Sequence, residues 1–379
     1  MLHEYVAWGD KLVYNNGNTL YMEHFDFVNF RMETAESCLL LIENRKIADS
    51  LGLSRALFEN YLLFMLMCRG FKYLRLQDLS SLPEAAFKAE LAKKEAEVAE
   101  KLADGTGQCL YVKKYPRAKR HLMYVYEGLK DRDDPSFIIP IHFFLFQNFR
   151  PEQMRLDDAD YFQYYERDEE TVKALKGHRL ESIAQYRHFL SYDALIQSLE
   201  INELVDPAAI ARIEAHYTFL GKFLHPTHNA ARDLHERSNY MTDRPAIGMD
   251  QAYTETAVLL ASIYLCYIVA GLLGEMVRVI ETAPAEYVRE AGAESLRHLT
   301  NGVSAAFPYF WFLFNEPPLY DKFNWCVHHA TNEELVAWGG YWNAPGERIM
   351  FNQYIYDNFQ KGLTGWNNAR CGEYRSPLF

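Results

Sequence analysis

Residues 256–274, TAVLLASIYLCYIVAGLLG, run for 19 positions without a charged side chain. Only two structures absorb such a segment: a membrane span, or a helix enclosed on all sides by other elements. Glu255 and Glu275 bracket it, and Arg278 is the only basic residue close by. Those flanks lack the basic excess that sets orientation at a bilayer. We read the segment as the central helix of a bundle, within a helix over about 250–281. No membrane partner is expected, and residues 256–274 are the segment on which that expectation turns. A helix buried all round needs several helical neighbours, so the chain is expected to be mainly α-helical.

Candidate neighbours follow from spacing and punctuation. Residues 32–48 place Cys38, Leu39, Leu41 and Ile42 together, and residues 54–74 (SRALFENYLLFMLMCRGFKYL) form an apolar helix with Ser54 as N-cap. Residues 84–104 read as an exposed, charged helix with Glu90–Lys94 and Glu97–Lys101 pairs. A basic patch at 113–121 leads into a helix to about 131, and an apolar run at 137–149 is interrupted by Pro140. Helix is favoured over strand for that run. Residues 157–170 carry seven acids and are read as a solvated connection to a helix over 170–190. In 207–224, Ile210, Ile213, Tyr217, Leu220 and Leu224 form one stripe behind Pro207, which suits a first helical turn. A shorter helix runs to about His298. The remaining segments lack such periodicity. Residues 1–30 are expected to be an irregular N-terminal arm with a turn at Asn16-Gly17. Residues 284–379 hold five of the six tryptophans and are expected to form an aromatic-rich, partly irregular cap on a bundle spanning 31–283.

Charge and cysteine usage narrow the function. The net charge of −12 disfavours a broad nucleic-acid groove and leaves room only for a local basic site. The six cysteines are widely spaced, with no C-x-x-C pair, so a cysteine zinc site is not expected. The N-terminus has early acids and no apolar signal region, and a reducing cytoplasm is the expected location. Phosphate-cradling glycine motifs and the G-x-S-x-G elbow are absent from the sequence. No cofactor and no metal are expected.

The chemistry-bearing residues concentrate in two places. In YTFLGKFLHPTH (217–228) the residue before Pro226 is pushed out of helical conformation, so His225 stands at a break. An imidazole there can face a cleft and act as acid or base at neutral pH. A structural histidine and a metal site using His225, His228 and Asp233 or His235 are the competing readings. The second place is Arg55 with Glu59, an i,i+4 pair on an otherwise apolar helix. It is either an internal ion pair fixing helix register or, if Arg55 shares a cleft with His225, a phosphate-binding group. Arg117/His121 and Arg212/His216 are further i,i+4 pairs, read as exposed helical neighbours. His328-His329 beside Cys326 is a weak local cluster.

SRALFEN (54–60) on an apolar helix, followed by YTFLGKFLHPT (217–227), resembles bacterial HEPN-like helical proteins that carry an R-x-x-x-E helix and a Y-x-x-L-x-x-x-x-H-P-T box. Arg55 and Glu59 match the first pattern. Tyr217, Leu220, His225, Pro226 and Thr227 match the second, and Gly221 stands where the box usually has serine. The resemblance implies a helical bundle, often dimeric. It also implies metal-independent RNA cleavage in antiviral defence or toxin systems. Characterised members use a longer Arg-to-His spacing than the three intervening residues of Arg117/His121 and Arg212/His216. On this reading His225 is the acid/base, Arg55 binds phosphate, Glu59 orients Arg55, and Tyr217 and His228 contact substrate. The expected partner is RNA or a nucleotide, with a homo-oligomer or a partner protein. The alternative is a non-catalytic interaction protein docking through the acidic belt at 157–170 and the aromatic cap, whose tryptophans 311, 325, 338 and 342 would then be exposed.

Overall fold

The computed structural model describes residues 1–14, 19–106, 109–116, 118–127, 191–225, 252–283 and 292–370, with a few isolated positions between them. Eleven α-helices and five strands lie among these residues, so the protein is mainly α-helical. The readings placed on residues 137–149, 157–170 and 170–190, on the Asn16-Gly17 turn, and on Arg117, Pro226, Thr227, His228, Asp233 and His235, lie outside the described residues. The chain divides into two compact units, Met1–Tyr61 with Val205–Phe379, and Leu62–Leu204.

The first unit is built around α7 (Glu255–Thr282). Thr254 caps it, its hydroxyl accepting from the Ala257 N–H at 3.1 Å. It packs against α2 (Thr19–Glu43), α8 (Glu294–Ala306) and α11 (Ile355–Arg370). Two helices, α7 and α3 (Ile47–Arg69), are long and apolar enough to cross a membrane, and about two-thirds of the apolar window of α7 is buried inside the protein. These neighbours account for the uncharged run 256–274 within α7. Gly271 lets the Tyr61 ring of α3 lie on the helix, where a methyl group would fall 2.5 Å from the ring.

The expected irregular arm is instead helical. Helix α1 (Leu2–Gly9) buries Tyr5 and Trp8, and the Trp8 indole N–H donates to the Gly292 carbonyl at 3.1 Å. Strand β1 (Val13–Tyr14) pairs antiparallel with β5 (Val288–Arg289), and α2 begins at Thr19, well before the expected helix start. Its aromatics Phe25 and Phe27 are core residues, so burial of these rings holds as helix a stretch that lacks clear apolar periodicity. The C-terminal region is also more helical than expected, with α9 (Leu319–His329), α10 (Asn332–Trp338) and α11. Thr331 and Glu334 form a reciprocal capping box on α10, and Gly339 ends it at φ 73°. The irregular part is 307–318, where Phe310, Trp311 and Phe312 are buried.

The second unit contains a three-stranded sheet in place of continuous helix. Strands β2 (Lys72–Asp78), β3 (Cys109–Lys114) and β4 (His121–Glu127) pair antiparallel in the order β2-β4-β3. The helix expected to run to 131 is strand β4. Helix α4 (Glu84–Ala103) covers one face, with Phe87 against Val112 and Leu122. On α4 the expected Glu–Lys pairs give way to Lys94–Glu97 at 2.7 Å and Lys88–Glu84 at 3.0 Å. Helix α5 (Tyr192–Ile201) ends at Asn202, a fully buried amide. Its Oδ1 accepts from the Phe71 and Lys72 N–H groups at 2.8 and 2.7 Å, and its NH2 donates to the Lys72 and Ser198 carbonyls. One side chain thus fixes where β2 starts against the end of α5.

Candidate functional site

Helix α6 (Pro207–Gly221) opens at Asp206, whose carboxylate accepts from the Ala209 N–H at 2.7 Å, with Pro207 in the first turn. It runs antiparallel to α3. Leu224 packs on Gly52, Gly221 faces Arg55, and Tyr217 reaches Arg55. The spacing of the matched residues therefore has a structural meaning: successive turns of the two helices meet.

The meeting point is polar. The Arg55 guanidinium donates through Nη2 to the Tyr217 hydroxyl and lies over the same ring, 4.3 Å from its centroid. It is 3.5 Å from Glu59, and the Arg55 side chain is only 18% exposed. Its Nε is buried with no partner among the described residues. Burial pushes the Tyr217 phenol up from its ordinary range, opposed by Arg55 and reinforced by Glu59. Gly221 leaves space beside the unpaired Nε, since a methyl group there would sit 3.8 Å away. The cluster can bind a further acceptor or anion only at the part of Arg55 not already committed to Tyr217 and Glu59.

Beyond Gly221 the chain continues as turns, and the His225 N–H donates to the Gly221 carbonyl at 3.3 Å. His225 is exposed and lies one turn past Gly221, next in sequence to Leu224, which packs on Gly52. The structure thus brings Arg55, Glu59 and Tyr217 together. It places His225 near the same helix end without a bond to Arg55, whose polar partners are Tyr217 and Glu59. Among the described residues no three His, Cys, Asp or Glu side chains are grouped to hold a metal ion.

Arg212 and His216 are not the exposed neighbours expected from their spacing. His216 is fully buried, with Phe310, Phe312 and Phe351 around its ring. Its Nε2–H donates to the Trp311 carbonyl at 3.2 Å, and its Nδ1 accepts from the Tyr264 hydroxyl at 2.8 Å. The carbonyl accepts only, which fixes that tautomer. Burial, with a smaller contribution from Arg212, pushes the imidazole down to about 3. Arg212 lies over Trp311 and donates to the Leu313 carbonyl at 3.2 Å. These residues fasten the 307–318 loop to α6. Comparison with family models, curated proteins and solved structures returns no match for this chain.

Proposed function

We propose that this chain is a HEPN-like effector that binds and cleaves RNA or nucleotide phosphodiesters, in a bacterial defence or stress setting, through the α3–α6 seam. Arg55 contacts a phosphate oxygen, Glu59 holds Arg55 in place, and Tyr217 lines the same spot. His225 supplies acid/base chemistry from the exposed turn that follows. The observation that carries the reading is the convergence of Arg55, Glu59 and Tyr217 from two separate motifs, with exposed His225 one turn further on.

The test uses the full chain with single-stranded RNA and with nucleotides, in the presence of a chelator. Binding is followed by anisotropy and cleavage by gel. His225→Ala should lower cleavage by about 10²–10⁴-fold and leave binding in place. Arg55→Gln should weaken binding, with circular dichroism confirming the fold. Absence of both binding and cleavage in the unaltered chain, or unchanged behaviour of both variants, overturns the proposal.

A second reading, a non-catalytic interaction protein, is favoured by one observation in the cap. Val336, Trp342, Met350 and Tyr354 are all more than half exposed within one short stretch. Trp311, by contrast, is buried. Replacing Trp342 and Met350 with serine should abolish self-association or partner binding if that surface docks a protein, and sedimentation velocity reads the result.

A further inference from the structure

The cap contains an open recess lined by Tyr309, Phe351, Asp321, Asn352 and Asn358 among others. Its floor is apolar: Phe310, Ile355 and Phe359 are buried. Asp321 lies in the first turn of α9, and its carboxylate has no hydrogen-bond or ion-pair partner among the described residues. The amides beside it are committed elsewhere. The Asn352 NH2 donates to Asn358 Oδ1, and the Asn358 NH2 donates to the Asn352 carbonyl, both at 3.0 Å. The nearest base in sequence, Lys322, is held by Glu316 at 2.8 Å and by the Trp342 carbonyl at 3.1 Å.

A half-buried carboxylate against apolar walls is costly without a counter-charge. Burial accordingly pushes Asp321 up to about 6, against the pull of the helix N-terminus. The rings of Tyr309 and Phe351 remain partly open to the recess, and aromatic faces attract cations. A divalent metal would need several oxygen ligands, and one carboxylate does not provide them. A second aromatic recess, lined by Tyr320, Tyr341 and Trp366, shares Tyr309 and Gly362 with the first.

We propose that this recess binds the ammonium group of an organic amine, with the Asp321 carboxylate as counter-ion and the Tyr309 and Phe351 rings as the surrounding walls. The recess is shallow, so it takes the head group and a short alkyl portion. The rest of the ligand lies along the second recess or in solvent. The proposal is independent of the α3–α6 reading.

The test titrates the full chain with n-butylammonium, tetramethylammonium and the lysine side chain of Nα-acetyl-lysine amide, at constant ionic strength. Neutral 1-pentanol and tert-butanol serve as shape controls. Calorimetry should show ammonium binding about tenfold or more tighter than the neutral controls. Asp321→Asn should reduce it about tenfold while retaining the fold. Tighter binding of the free amines identifies a small-molecule ligand, and tighter binding of the lysine derivative identifies a lysine side chain of a partner. Failure of every ammonium probe to bind, equal binding of the neutral controls, or undiminished binding by Asp321→Asn overturns the proposal.

Discussion

His216 and Asp321 are both titratable groups in apolar surroundings, yet burial acts on them in opposite directions because it always disfavours the charged form. The folded-state pKa of His216 falls to about 3, below its ordinary value of 6.5. Its contribution to stability is therefore complete above about pH 6.5 and is lost as pH falls toward 3, at up to about 1.4 kcal/mol per pH unit. His216→Gln should cost about 1–3 kcal/mol at pH 7, because Tyr264 and the Trp311 carbonyl lose their partner. Its stability should also fall less steeply on acidification than that of the unaltered chain. Urea melts from pH 7 to 4 read both effects, and parallel slopes would refute the assignment. The folded-state pKa of Asp321 rises to about 6, above its ordinary 3.8. Its contribution is complete below about pH 4 and is lost as pH rises through 6. Asp321→Asn should therefore match the unaltered chain near pH 4 and exceed it by about 1–2 kcal/mol at pH 7.5, a figure reduced for the solvent that still reaches the carboxyl. Gly221 gives a third case. A serine hydroxyl there reaches toward the unpaired Arg55 Nε and removes the backbone freedom of glycine. Gly221→Ser should raise stability by about 0.5–1 kcal/mol, and a lower melting temperature would show that the space beside Arg55 is needed open.

Among the elements, glycine marks where helices approach closely enough to exclude a methyl group. A side chain at Gly271 would strike the Tyr61 ring, and one at Gly362 would fall 2.7 Å from the Tyr309 carbonyl oxygen. Gly362 faces backbone, which cannot move aside as a flexible side chain does. Gly362→Ala should therefore cost about 1–3 kcal/mol and separate α11 from the 307–318 loop. Exchange of amide hydrogens in that loop should accelerate, and unchanged exchange would deny the contact. The same elements explain which parts of the fold were legible. The apolar stretch of α7, the stripe of α6 with Pro207 at its start, and the charged periodicity of α4 each reflect one dominant interaction, and each is a helix. The Arg55–Glu59 spacing was legible for the same reason, because both residues share one helix face. The strands were not. KYLRLQD and HLMYVYE are seven residues each, and runs that short separate helix from strand poorly when the partner strand is unknown. Arg212 and His216 failed differently: their spacing showed that they share a face, but burial of that face depends on Trp311 and Phe312, about a hundred positions away.

At the scale of the whole molecule, the first unit is discontinuous in sequence, with residues 62–204 interrupting it. A contiguous bundle over 31–283 was the natural linear reading because every motif within it is local. The pairing of residues near 55 with residues near 217 emerges only after the chain has passed through a separate unit. The net charge also belongs to this scale and sets how the proposed site must behave. A chain of net charge −12 repels a polyanion at long range, so attraction has to come from local cations. If Arg55 provides the phosphate contact, binding releases counterions from about one or two phosphates. Raising salt from 50 to 200 mM should then weaken RNA binding by less than about tenfold, since each single-strand contact contributes a log–log slope of about −0.7. Screening of the acidic surface offsets part of even that loss. A broad basic groove would lose far more affinity over the same range. Anisotropy titrations at both salt concentrations separate the cases. A steep slope would move the interface away from the α3–α6 seam to a larger basic surface, and Arg55→Gln would then leave the slope unchanged.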